Sequence, residues 1–342
     1  MEPIVSRERF IHLMDQFTAL DPILVVGDVG IDKYTYGEVK RISPEAPVPV
    51  LEVTKEWLKL GLAANISHNL KTLDVKSTLC GVVGNDNHAS IFETLLEDEN
   101  LHTWGLVRSS DRPTIFKERV TTNTQQICRI DYESTDEITK DTEQKLFSRL
   151  TEFGAKHSAI IIEDYAKGTL TKELLEKMIA HFKEQKKFMA VDPGRSTPPL
   201  YYKGVDLLKP NLSEAKTMVA SLGYKDKDVA KMADILMDKL DLSKIIITLG
   251  AEGMAILDRA IHAPIKVIPT LATEVFDVSG AGDTAISLIV SSLMSGATLV
   301  EASFMANCGS GVVVGKKGTA TVNKIEMLEF FDRLQQKWPS LN

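Results

Sequence analysis

With 342 residues, 44% of them hydrophobic and 25% charged, the chain is too apolar for wholesale disorder and long enough to bury a large core without staples. Its net charge of -7 gives no electrostatic reason to expect nucleic acid or an anionic membrane as partner, so an anionic ligand must be held by a local positive site. The cysteines, Cys80, Cys128 and Cys308, are odd in number and far apart, which suggests neither a disulfide framework nor a zinc cluster. Glu2, Arg7, Glu8 and Arg9 interrupt the N-terminal apolar residues, so no signal-peptide core is present. No apolar run approaches the roughly 20 residues that span a bilayer. These features predict a cytoplasmic protein in a reducing compartment.

In chain order, Pro22–Gly27 reads as a buried strand ending in a turn, followed by the acidic pair Asp28 and Asp32. Residues from about 33 to 55 and from about 113 to 132 alternate and are rich in β-branched and aromatic residues. They predict strands of a small inserted sheet, a lid, with Pro44, Pro47 and Pro49 confined to an edge or turn. Short apolar runs at Ala159–Ile162, Phe188–Val191, Val205–Leu208 and Ile245–Leu249 alternate with amphipathic stretches such as Thr171–Lys186 and Asp228–Leu240. Strand, helix, strand in succession predicts an α/β fold, a parallel sheet covered by helices on both faces. Ligands then belong at the carboxyl ends of the strands. With no repeat and no low-complexity linker, residues 1–342 read as one domain carrying the lid.

Asp277-Val278-Ser279-Gly280-Ala281-Gly282-Asp283-Thr284 precedes an apolar helical run, Ala285–Met294. Two glycines separated by alanine let backbone N–H groups converge at a helix start, which is a ready anion site. Asp283 sits where a carboxylate can take a proton from an attacking hydroxyl while the amides stabilise charge. The same spacing also suits a simple N-capping aspartate. Asn211 and Glu214 have the spacing of a capping pair opening a helix.

The octapeptide resembles the second signature of the PfkB carbohydrate kinases, which have a ribokinase-like fold, and Asn211-Leu212-Ser213-Glu214 resembles that family's NxxE motif. The resemblance implies a three-layer α/β/α fold and transfer of the γ-phosphate of ATP to a sugar hydroxyl. Asp283 is the implied base, with Gly280, Ala281 and Gly282 as anion hole and Asn211 and Glu214 positioning magnesium and phosphates. Thr248, Gly250, Gly253 and Asn307 occupy the implied nucleotide edge, and Gly309–Gly318 lie where many members contact adenine and a monovalent cation such as K⁺. Asp28, Asp32, Gly61 and Asn65 match sugar-binding positions, although Leu62 stands where a second glycine is usual.

Arg41–Val50 (RISPEAPVPV), Asp164–Gly168 and further matches along most of the chain are similar to the heptose-7-phosphate kinase branch of the family. That likeness implies phosphorylation of D-glycero-D-manno-heptose 7-phosphate at the anomeric hydroxyl, feeding ADP-heptose and lipopolysaccharide core synthesis. Arg41, Lys117, Arg119, Arg129 and Lys167 are the basic candidates for the substrate's own phosphate. No HxGH motif is present, so the chain is expected to lack an adenylyltransferase activity. Exposed edges of the inserted sheet invite a homodimer through the lid. A kinase for another sugar or sugar phosphate, and a non-catalytic sugar-responsive binder on the same scaffold, remain as rival readings.

Overall fold

The computed structural model describes residues 4–337 other than 124, 262, 263, 273 and 317. Glu2 of the N-terminal reading, Thr124 of the second lid segment and Lys317 of the adenine-edge stretch lie outside the described residues. The strands are β1 (Ile23–Gly27), β2 (Val29–Ile42), β3 (Pro49–Leu62), β4 (Ser77–Gly84), β5 (Gly105–Ser109), β6 (Ile115–Thr121) and β7 (Gln126–Tyr132). They continue with β8 (Ala159–Glu163), β9 (Phe188–Asp192), β10 (Leu207–Leu208), β11 (Lys244–Thr248), β12 (Met254–Asp258) and β13 (Lys266–Ile268).

The larger sheet runs β13-β12-β11-β10-β9-β8-β1-β4-β5. Its strands are parallel from β11 to β5, and β12 and β13 add antiparallel at one end. The pleat explains why β1 and β8 are apolar at successive positions. Ile23, Val25 and Ile161 enter a core with Phe10, Phe92 and Ile286, whereas Leu24, Val26, Ile160 and Ile162 enter another with Phe182, Tyr202 and Met237. Successive side chains point to opposite faces, so a strand covered on both sides must be apolar throughout. Each such side chain contributes about 1.5–3 kcal/mol on full burial. The result is the three-layer α/β/α arrangement.

The smaller sheet has the order β3-β2-β6-β7, with β2 and β6 parallel and the other pairs antiparallel. It is longer than the predicted lid segments. Asp28 alone separates β1 from β2, because Val29 and Ile31 and, opposite them, Leu60 and Leu62 are buried against the main domain. Pro44 and Pro47 lie in the β2–β3 turn, closed by Ser43 N–H to the Val48 carbonyl at 2.9 Å, and Pro49 opens β3. Proline is tolerated there because it has no N–H to give the ladder.

One predicted boundary moves. The strand read as Val205–Leu208 shrinks to Leu207–Leu208, since the Val205 amide turns back to the Tyr202 carbonyl. The helix after the glycine turn begins at Ala281, with Asp283 in its first turn and the apolar run from Ala285 as its continuation. Leu62 has φ +54° and ψ -138°, backbone that favours glycine, at the start of helix Ala63–Thr72. A leucine there costs on the order of 1–3 kcal/mol, which its burial offsets.

Candidate active site

Helix Ala281–Met294 begins at Gly280, whose φ of +82° is open to glycine and strained for other residues. Ala281 N–H bonds the Val278 carbonyl, whereas the amides of Gly282 and Asp283 meet no protein acceptor among the described residues. Free donors and the helix dipole converge at this turn. Asp283 is therefore not the cap but lies inside the first turn, buried, with its carboxylate held from two sides. Asn65 Nδ2 donates to Oδ2 at 2.6 Å, and the Tyr165 hydroxyl donates to Oδ1 at 3.1 Å. Burial, and then the charge of Asp192, push the Asp283 carboxyl up to about 7, against the opposing pull of those hydrogen bonds and of Lys209.

Three neighbouring strands end beneath this turn and deliver a charged cluster. Glu163 ends β8, Asp192 ends β9, and Lys209 follows β10. Lys209 is only 3% exposed and bonds Asp192 at 2.6 Å. Burial opposes its charge, but the flanking carboxylates outweigh burial and hold its pKa above the ordinary lysine value. A Cβ on Gly282 would lie 3.6 Å from both the Lys209 Nζ and the Asp192 Oδ2, so the buried cation borders the free amides. The free amides and the helix dipole, with Lys209 beside them, are the local donors that an anionic ligand needs in a chain of net negative charge. From the sequence, Glu163, Asp192 and Lys209 carry no assigned role, and Tyr165 enters only within the Asp164–Gly168 match. Their signal was position: polar residues at the carboxyl ends of parallel strands.

The nucleotide-edge residues converge. Thr248, Gly250, Gly253 and Asn307 line a cavity of about 350 Å³ that opens onto Ala281 and Gly282. Gly253 has φ +99°, and a Cβ there would overlap the Ile268 carbonyl. Asn307 has a structural task as well: it accepts from Leu271 N–H at 3.2 Å and donates to the Pro269 carbonyl at 2.6 Å, fixing one wall. Asn211 and Glu214 form a full capping box, with bonds of 2.8 and 2.9 Å. Glu214 Oε1 stays outside that box. Among the described residues no three His, Cys, Asp or Glu side chains are placed to hold a metal alone. Such a donor set fits a hard cation carried mainly by phosphate and water.

The predicted sugar residues divide. Asp32 projects from β2, accepting from Arg119 Nη1 at 2.6 Å and from Thr319 Oγ1 at 3.4 Å. Gly61, opposite Gly30 on β3, lies diagonally from it, and a Cβ there would press the Asp32 carboxylate at 3.1 Å. Asn65 orients Asp283. Asp28 must be reassigned: fully buried, it accepts from the amides of Tyr165, Lys167 and Thr169 at 3.0–3.3 Å and anchors that loop instead of facing a sugar. Lys167 is ion-paired with Glu133. Arg41 does not converge either, because it lies nine residues beyond Asp32 on β2, roughly 25–30 Å along the strand. Arg129 projects from β7 opposite Arg119, paired with Asp131 at 2.8 Å.

Residues 23–326 match the family model described as pfkB family carbohydrate kinase. The chain is 36% identical over 305 residues to the bifunctional protein HldE of Geobacter sulfurreducens, covering 89% of this chain and 62% of that protein. It is 38% identical over 309 residues to the protein of the same name from Sulfurimonas denitrificans, covering 90% and 64%. The chain thus spans under two thirds of the length of these curated relatives. Among solved structures, Arabidopsis thaliana ribokinase complexed with ribose and ATP superposes with a TM-score of 0.69 at 17% identity, covering 91% of this chain and 98% of that one. Phosphofructokinase-2 from Escherichia coli in complex with potassium gives 0.74 at 17% identity, covering 92% and 99%. At that identity these two likenesses establish the ribokinase-like fold.

Replacing Asp283 by Asn removes the penalty of ionising a buried carboxyl. Because the folded-state pKa is raised, the wild type loses stability as pH rises from about 4 to about 7 and no further. The Asp283→Asn variant should gain on the order of a few kcal/mol over that window, with no gain below it. Thermal unfolding across pH 4–9 checks this, and a gain that does not vary with pH would contradict it.

Proposed function

Because the chain belongs to the pfkB family of carbohydrate kinases, we propose that it phosphorylates D-glycero-D-manno-heptose 7-phosphate at the anomeric hydroxyl, using ATP and magnesium. The product is the 1,7-bisphosphate, and the proposed setting is cytoplasmic synthesis of ADP-heptose for the lipopolysaccharide core. The observation that carries the chemistry is Asp283, poised near neutrality beside unpaired helix amides and Lys209. The narrower substrate is supported by the likeness of Arg41–Val50 to heptose-phosphate kinases and by the identity to the HldE proteins.

Asp283 accepts the proton of the sugar hydroxyl as that oxygen bonds to the γ-phosphorus and the bond to the departing ADP oxygen breaks. The amides of Gly282 and Asp283, with Lys209, stabilise charge on the transferring group. Magnesium neutralises the triphosphate, and Asn211 and Glu214 would hold it through water. The adenine lies in the cavity of Thr248, Gly250, Gly253 and Asn307. A monovalent cation such as potassium is proposed as a further ligand, as in phosphofructokinase-2 in complex with potassium.

The small sheet acts as lid over the sugar. One row across it alternates charge, Lys59, Asp32, Lys117 and Asp131, while the next sets Arg119 directly opposite Arg129. Arg119 and Arg129 each already hold a carboxylate, Asp32 at 2.6 Å and Asp131 at 2.8 Å, and the two residues face one another across the ladder. That juxtaposition makes them the proposed place for the substrate's own phosphate, with Lys167 at the margin. Exposed Val39, Ile42, Val48, Val53, Ile130 and Tyr132 give the lid an apolar surface suited to a second copy.

Against a panel of sugars and sugar phosphates, the heptose 7-phosphate should show the highest kcat/KM, and faster turnover of ribose or fructose would overturn the assignment. Asp283→Asn should lower kcat by about 10²–10⁴-fold with little change in Kd for sugar or nucleotide. A variant that turns over normally would remove Asp283 from the mechanism. Sedimentation should show a dimer at micromolar concentration; a monomer would remove the lid pairing.

A further inference from the structure

The last turn of β8 holds a carboxyl that the proposed chemistry does not use. Glu163 is 3% exposed, and its Oε2 has no hydrogen-bond partner among the described residues. The groups facing it are Asp192 from β9, Lys209 after β10, Asp283 from helix Ala281–Met294, and Asp164 and Tyr165 from its own segment. Lys209 and Asp192 already cancel each other as a 2.6 Å pair. An ionised Glu163 beside an ionised Asp283 would leave two uncompensated negative charges in a buried site that must also admit a polyanion. Like charges at such range do not both ionise at low cost.

We propose that Glu163 stays protonated in the working enzyme, as a neutral positioning residue that keeps the phosphate cradle net receptive to nucleotide, and that its ionisation at higher pH weakens nucleotide binding. Burial and the neighbouring Asp192 push its carboxyl well above the ordinary glutamate range, in agreement with the geometry. The inference rests on the reading that the cradle at Gly280–Gly282 receives the nucleotide phosphates.

The test compares the wild type with Glu163→Gln, a neutral isostere, using the magnesium complex of the β,γ-imido analogue of ATP as probe. Infrared difference spectra should show the C=O stretch of a protonated carboxyl in the wild type at neutral pH that Glu163→Gln lacks. At neutral pH, calorimetry should give the two proteins Kd values within about threefold, a difference under 1 kcal/mol. As pH rises and the infrared band fades, the wild-type Kd should rise about tenfold relative to that of Glu163→Gln. Because the two carboxyls interact, the ratio is read above the pH at which the Asp283 titration is complete in both proteins. Absence of the band at neutral pH overturns the proposal. So does a fading band with no divergence in Kd, or a folded Glu163→Gln that binds tenfold more weakly at neutral pH. Should Glu163→Gln fail to fold, the wild-type band and the wild-type Kd, followed together against pH, decide the same question. Failure of the underlying reading looks different: the wild type would not bind the analogue at all.

Discussion

The active site hangs on one buried carboxylate clamped between donors from two different elements. Asn65 comes from helix Ala63–Thr72 and Tyr165 from the loop after β8, and both reach Asp283 in the first turn of a third element. A buried aspartate without donors would be driven neutral, and with stronger ones it would be too weak a base. Two hydrogen bonds and the more distant Lys209 leave it near the midpoint, which suits proton abstraction at neutral pH.

That clamp requires the rest of the chain to be held in register. The loop carrying Tyr165 is fixed by Asp28, which satisfies three of its amides, and by Asp164, which binds Ala166 N–H, Thr197 and Tyr202. Buried backbone donors need such partners, so Asp28, which looks like a ligand contact in the sequence, is with Asp164 the scaffold of the loop. The small sheet is joined to the same region through Thr319. Its hydroxyl and amide meet the Tyr34 hydroxyl at 3.0 and 3.1 Å, and its carbonyl accepts from Lys59. Asp277 ties Gly318 to the glycine turn at 3.0 Å, so lid and cradle share one connecting segment.

Stability and activity pull against each other here. The buried cluster of Glu163, Asp192, Lys209 and Asp283 is expensive to fold and has no packing role that apolar residues could not fill better. Its placement at the ends of β8, β9 and β10 follows from the parallel sheet, which brings the carboxyl ends of successive strands to one edge. A negative protein thereby presents the buried Lys209, beside free helix amides, to an anionic ligand.

The sequence by itself determined the layers and the chemistry of the main motif. Continuous apolar runs such as Ile23–Val26 can only be strands covered on both faces, and a glycine-rich turn before an apolar helix can only leave free amides. Alternation located the strands of the smaller sheet but stopped short of its ends at Val29 and Leu62. Tertiary structure decided the jobs of individual polar residues. Asp28 and Asp32 are alike in the sequence, yet one meets loop amides and the other meets Arg119. Arg41 and Arg119 are both basic lid residues, yet strand length carries the first away and cross-strand register brings the second in. Glu163, Lys209 and Tyr165 lie in segments that locally read as strand ends. Periodicity reports which face a residue takes, but the partners of a buried charge come from segments distant in the chain. Only the packed sheet brings those segments together.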